Sequence, residues 1–348
     1  MKTTQYDKEY CGVDKDKIST VHPLIHKKNF RLFLEFVRDR YEVHTNKDVE
    51  QLPKPWTDNP VLQQYKFTNI RREHDRQSKM YINGVAERND LTLNEKILNA
   101  FMFRAWNNYD TFTTLGGPFS MDDILTGEAM QKARKIVHSV DKQDPNHLWF
   151  NSAYNQGSMK GVWRFPDGSG FKVRLSEDEA AKKPGFEPCM PLRMFYLAKY
   201  VINNHIIDRL LYAEDQKEAY EIIRSVPGFA AFMAYQVFVD LTYIEAFKFS
   251  ENEFTMAGPG CKRGLDYLFS DAKGMSPEEC LFWLRDNFDR LNAQFPDIGL
   301  DLNKLMYDLP EWDRTMNVMS LENCMCELSK YLKVVYGTGR PRCKYKGV

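Results

Sequence analysis

The residues of this 348-residue chain that could do chemistry are arginines set close to carboxylates and to glycines. In YKFTNIRREHDRQSKMY, residues 65–81, Arg71, Arg72 and Arg76 surround Asp75. On a helix capped by Thr68 or Asn69, Arg72 and Asp75 stand three apart and are neighbours on one face. Such a group can hold an anion and orient an acid or base at once. The plainer reading is a surface ion pair of little energetic weight. Arg104 sits among Phe101, Met102, Phe103 and Trp106, where a cation needs a partner: it pairs with a core acid or faces a cleft. Gly258-Pro259-Gly260 precedes Cys261, Lys262, Arg263 and Gly264, and a glycine turn followed by two cations suits a phosphate or pyrophosphate. Pro227-Gly228 separates two apolar runs and outlines a helix–hairpin–helix, whose second helix can turn its first N–H groups toward a phosphate. Asp240 lies between the two turns. It is a candidate acid or base, or else a helix cap or the partner of a buried arginine. Tight turns in a helical core are the plain reading of both glycine motifs.

The elements that must position these residues are mostly helices. Residues 30–41 (FRLFLEFVRDRY) carry apolar side chains at helical spacing. Residues 52–60 hold three prolines and form a connector. Thr92 and Glu95 make a capping box at the head of an apolar helix over residues 92–108. Further helices are expected over residues 121–138, 190–211, 215–223, 277–291, 302–309 and 320–335, the last opened by a weaker box of Ser320 and Asn323. Around a PDGSG turn, residues 161–175 read as a small β-hairpin, with Lys160, Arg164, Lys172 and Arg174 able to touch a nucleic-acid backbone. An exposed polar hairpin is its plainer reading. The expected fold is mainly α: one helical body with hairpin turns, an N-terminal arm and helix over residues 1–60, and a helical domain over residues 61–348. That domain has its hairpin core at residues 222–264 and a basic tail at residues 330–348.

Composition removes whole classes. Hydrophobic content of 43% and aromatic content of 14% are those of a folded globular protein. No apolar run approaches a membrane span and the first ten residues lack a signal-peptide core, so a cytoplasmic location and no membrane partner are expected. The formal net charge of zero counts against simple nonspecific coating of DNA. The tail still concentrates Lys330, Lys333, Arg340, Arg342, Lys344 and Lys346 with no acid among them. Seven irregularly spaced cysteines include no CxxC pair and are expected to be reduced. His22 and His26 lack a nearby third ligand, so no metal site is assigned; the sequence requires no cofactor and leaves a divalent ion without support. GxxxxGK[ST], GxGxxG after a strand, HExxH and GxSxG are all missing.

Six segments, in order, carry a resemblance: FTNIRREHDRQS, FMFRAWNN, LWFNSAY, PGFAAFMAYQVFVDLTY, GPGCKRG and CELSKYLKVVYGTGRPRCKY. Together they resemble the phage alpha-glutamyl/putrescinyl thymine pyrophosphorylases, also called amino acid:DNA transferases. A similar helical domain accompanies the kinase that phosphorylates 5-hydroxymethyldeoxyuridine in DNA. The resemblance runs from about residue 65 to residue 345 and implies a DNA-glycosylase-like helical architecture. It further implies action on pyrophosphorylated 5-hydroxymethyluracil in DNA, with pyrophosphate expelled and an amine (an amino acid or putrescine) joined to the exocyclic methylene. Lacking the phosphate loop of the fused kinase forms, this sequence is expected to transfer and not to phosphorylate.

On that reading Arg72, Arg104, Gly258, Gly260, Lys262, Arg263, Arg340 and Arg342 are available to a pyrophosphate. Asp75, Asp240 or Glu327 is available to take the amine's proton. A base flipped from the duplex requires an aromatic such as Trp106, Tyr154 or Tyr235, with Gly228, Lys330 and Lys344 toward the DNA; for each aromatic, core packing is the plain alternative. Asp240 lies closer to its hairpin than the catalytic aspartate of glycosylases does, which leaves Arg72 and Asp75 as comparable candidates. The rival functions are base excision by the same architecture, or a non-catalytic DNA-binding subunit partnering the kinase.

Overall fold

The computed structural model describes residues 10–11, 23–151, 187 and 189–345. The hairpin expected over residues 161–175, its four basic residues, and Tyr154 lie outside the described residues. The rest is mainly helical, with one small antiparallel sheet in the order β1 (Tyr10–Cys11), β2 (Leu24–His26), β3 (Phe269–Asp271). Where one body was expected, with a division at residue 60, the chain forms two compact units. The first joins residues 1–75 to residues 251–348, and the second is residues 76–250. The helix Lys27–His44 lies within the first unit. Its apolar face, Phe30, Phe33, Leu34 and Val37, enters one core with Leu281, Leu284, Leu321 and Leu328 from the far end of the sequence.

In the first unit the helix Pro259–Leu268 packs along the C-terminal helix Val318–Val335. Gly260 and Gly264 stand four apart, hence on one helical face, and this face meets the partner helix. A Cβ on Gly264 would lie 2.0 Å from the carbonyl oxygen of Met325, and one on Gly260 would lie 2.4 Å from the Sγ of Cys326. These glycines serve close helix packing. Gly264→Ala is therefore expected to destabilise the protein by about 1–3 kcal/mol, since the obstructing atom is backbone and the helices must part. Gly260→Ala should cost less, because the Cys326 side chain can rotate. Urea denaturation followed by circular dichroism of both variants tests the order.

The second unit is built round the helix Leu93–Trp106, buried on every side from Ile97 to Trp106. The capping box of Thr92 and Glu95 starts it. Phe103, Trp106, Phe112, Phe119 and Phe195 form an aromatic cluster of edge-to-face and tilted pairs. The expected helix hairpin is present as Gln216–Arg224 and Ala231–Thr242, with Gly228 at φ +89° in the turn between them. Left-handed residues cut two long expected helices: Gly127 separates Met121–Thr126 from Glu128–Gln143, and His205 separates Arg193–Asn203 from Ile206–Leu211. The segment at 302–309 shortens to one turn, Leu302–Leu305, and the C-terminal helix is capped by Asn317, not Ser320. No helix among the described residues is long and apolar enough to cross a membrane.

Candidate functional site

In the first unit, the loop over residues 65–75 is clamped from both sides. Arg40, buried in the helix Lys27–His44, donates to the carbonyl of Thr68 at 3.0 and 2.7 Å and to that of Asn69 at 2.8 Å. From the C-terminal helix, Asn323 Nδ2 donates to the Asn69 carbonyl at 2.7 Å, and its Oδ1 accepts from the Thr68 hydroxyl at 3.1 Å. The loop closes on itself as well: the Asn69 N–H donates to Asp75 Oδ1 at 2.8 Å, and Asn69 Nδ2 donates to the His74 carbonyl at 2.7 Å. Thr68 and Asn69 thus cap no helix. Arg72 and Asp75 sit on a short 3-10 turn, Arg72–His74, and the residue that follows it.

Facing this loop is a polar stripe on the C-terminal helix: Glu322, Asn323, Cys326, Glu327 and Lys330, spaced to share one face. Arg72 Nη1 lies 3.8 Å from Glu322 Oε2, and Lys330 Nζ lies 2.5 Å from Glu327 Oε1. Burial pushes the Glu322 carboxyl up to about 7, against the pull of Arg72 and the Gly258 N–H, with Glu327 adding to the rise. Asp75 is partly exposed as a residue, yet burial pushes its carboxyl up to about 6 against its Asn69 hydrogen bond and the nearby Arg72 and Arg40. Burial opposes the charge of Lys330, but Glu327 prevails and raises it. The Cys326 thiol is pushed up to about 11 by burial and Glu327, which leaves it a poor nucleophile. The cluster therefore pairs cations with carboxyls that exchange protons near neutral pH, the combination that leaving-group and proton-transfer chemistry needs.

The glycine motif contributes differently from the expected phosphate cradle. Gly258 is the residue before the helix Pro259–Leu268, and the N–H groups there already meet carboxylates: Ala257 donates to Glu278 at 2.9 Å and Gly258 to Glu322 at 3.4 Å. Gly260 is committed to packing and the Glu322 carboxyl stands at the helix start, while Lys262 and Arg263 are exposed.

In the second unit, Arg104 and Asp240 are partners of one another. Nε and Nη2 of Arg104 each lie 2.6 Å from an oxygen of Asp240, which is 0% exposed, and Nη1 donates to Asn107 Oδ1 at 2.9 Å. A bidentate pair in the interior is the core-acid alternative for Arg104 and removes Asp240 from contact with a base in this conformation. Trp106 is fully buried with its indole N–H on the Pro191 carbonyl at 3.1 Å, and Tyr235 is buried and stacked on Phe238. Neither offers a face to a flipped base, because both rings fill the core.

The family model for the helical domain of 5-hmdU DNA kinases matches residues 27–340. The chain belongs to this helical-domain family. A relative, the 5-hmdU DNA kinase of Bacillus phage SP10, is 25% identical over 317 residues. The alignment covers 87% of this chain and 44% of that relative, so the chain spans less than half of its length. No solved structure matches.

Every residue of the arginine–carboxylate cluster falls inside the span matched to the helical-domain family, whereas Arg342 and Lys344 lie just beyond it. Those two and Arg340 are exposed, but the tail is held, with Lys66 N–H on the Cys343 carbonyl at 3.0 Å and Tyr345 N–H on the Gln64 carbonyl at 3.1 Å. Lys344 lies over the Tyr65 ring, and Lys54 over both Trp56 and Tyr345. Of the functional candidates, Glu322, Arg40, Trp56 and Tyr345 were not legible as site residues. Glu322 carried one faint signal, its i,i+4 and i,i+5 spacing with Cys326 and Glu327 along one polar stripe of an amphipathic helix.

Proposed function

We propose that this helical domain displaces pyrophosphate from pyrophosphorylated 5-hydroxymethyluracil in DNA and joins an amine to the exocyclic methylene. The observation that carries the reading is Arg72 set 3.8 Å from Glu322, a carboxyl raised to about 7, within a family of helical domains attached to kinases of 5-hmdU DNA. Arg72 and Lys330 neutralise charge developing on the leaving pyrophosphate. The methylene C–O bond breaks, its electrons leave with the pyrophosphate, and the amine nitrogen forms the new C–N bond. The proton the amine sheds passes to Glu322 or Asp75.

The test uses DNA containing 5-hydroxymethyluracil, treated with a 5-hmdU DNA kinase and ATP, then with this protein and a panel of amines. Nucleosides are analysed by mass spectrometry beside a free-pyrophosphate assay. Wild-type protein should give an amine-linked thymidine and pyrophosphate; Arg72→Ala should lower that rate about 10²–10³-fold with DNA affinity kept. No product from any amine sinks the reading. A second reading, a DNA-binding subunit without chemistry, is favoured by the half-buried aromatics Trp56 and Tyr345 with Lys47, Lys54 and Lys66 over their rings. It prevails if Arg72→Ala weakens DNA binding and the wild type makes no product.

A further inference from the structure

We propose that His44, His74 and Asp308 bind a divalent transition-metal ion of the zinc class, which pins the turn carrying Arg72 and Asp75. These residues come from the helix Lys27–His44, the 3-10 turn Arg72–His74 and the segment after the helix Leu302–Leu305, all in the first unit. One donor atom from each lies within 4.8 Å of the other two. Asp308 Oδ2 is 3.8 Å from His44 Nε2 and 3.7 Å from His74 Nε2. Those separations are too long for hydrogen bonds. They exceed by only about 0.4 Å the edge of a tetrahedron whose metal–ligand bonds are about 2.0–2.1 Å. His44 is 1% exposed, and its Nε2 has no hydrogen-bond partner among the described residues.

The surroundings already orient the donors. His44 Nδ1 lies 3.3 Å from Asp48 Oδ2; donation there puts the lone pair on Nε2, as in carboxylate–histidine–metal arrangements. The Tyr41 hydroxyl donates to Asp308 Oδ1 at 2.5 Å, which leaves Oδ2 toward the imidazoles. Lys47 holds the other oxygen of Asp48 at 2.8 Å, and Arg71 and Glu73 act on Tyr41 from the loop side. The two imidazole rings are stacked, centroids 4.2 Å apart and 14° from parallel, so an ion draws their Nε2 edges together by tilting the rings. Two imidazoles and one carboxylate select zinc, cobalt or iron over magnesium or calcium. The Asp308 side chain is 24% exposed, which gives the ion an entry path and room for a water as a further ligand. The chemical role follows from the sequence: His74 stands between Glu73 and Asp75 and two residues after Arg72, so fixing its ring fixes the loop that faces Glu322.

The experiment uses the full chain, freed of metal with a chelator, then titrated with Zn(II) or Co(II) alone. Expected are one bound equivalent by mass spectrometry, a visible Co(II) absorption of tetrahedral or five-coordinate type, and a rise in melting temperature with Zn(II). Asp308→Asn, at a partly exposed position, should keep the fold and lose the absorption; His44→Ala and His74→Ala should do the same. Asp48→Asn should weaken binding about 10–100-fold without abolishing it. Substoichiometric binding by the wild type, or binding undiminished in the Asp308, His44 and His74 variants, overturns the proposal.

Discussion

Asp240→Ala is expected to cost the protein about 3–5 kcal/mol of stability, because it leaves the Arg104 guanidinium buried without its bidentate partner. Asp240→Asn should lose much of the same, since the amide accepts a hydrogen bond but carries no charge. Replacing both residues with apolar ones of similar volume, Arg104→Met with Asp240→Leu, should recover most of the loss, because neither charge then has to be desolvated. Thermal and urea denaturation of the four proteins measures these differences. They also separate two roles for Asp240. A structural partner lowers stability and activity together. A catalytic acid, in contrast, would leave Asp240→Asn as stable as the wild type and without product. The burial of both groups favours the first outcome. Tyr81 belongs to the same interior: burial pushes its phenol well up, and the Asp240 charge pushes it further.

Glu322→Gln is expected to remove activity and yet stabilise the fold at alkaline pH. The ordinary glutamate value is 4.5, and burial raises Glu322 to about 7 in the folded protein. Between those values the folded state holds a proton that the unfolded state has released. Stability contributed by this group is therefore full below about 4.5 and falls as pH rises through about 7. The span of about 2.5 pH units corresponds to roughly 3 kcal/mol, an upper figure for one buried carboxyl. Glutamine keeps an acceptor for the Gly258 N–H and has no charge to desolvate. The variant's denaturation midpoint should thus vary less between pH 5 and 8 and exceed the wild type's at pH 8. Its transfer rate should drop about 10²–10⁴-fold if this carboxyl is the proton acceptor. A wild-type midpoint that rises over the same range, or a variant with the same slope, would show that Glu322 is ionised in the folded protein at lower pH.

The contrast between the two carboxylates shows where sequence and structure each decide. Local patterns wrote the helices: the apolar spacing at residues 30–41, the box of Thr92 and Glu95, and the Pro227-Gly228 turn each act within a few residues, and each appears in the structure. Local chemistry also singled out Arg72 and Asp75, since both lie in one short charged stretch. Their setting was not local. The loop takes its shape from Arg40 and Asn323, and the carboxyl that faces Arg72 comes from the C-terminal helix.

Alternatives the sequence left open divide in the same way. The Gly258-Pro259-Gly260 motif left a phosphate turn and a tight turn in a helical core both open; Gly260 and Gly264 meet the Cys326 side chain and the Met325 carbonyl, contacts that only the fold supplies. Arg104 called for a core acid or a cleft, and Asp240 for a buried arginine among other roles; the fold joins the two. His44, His74 and Asp308 gave no signal, because ligands gathered from three distant segments have no spacing to read. The sequence by itself determined a mainly helical protein and marked candidate residues in a few arginine-rich stretches. Only the tertiary structure decided which charges are buried, since desolvation and pairing depend on what the rest of the chain places beside them.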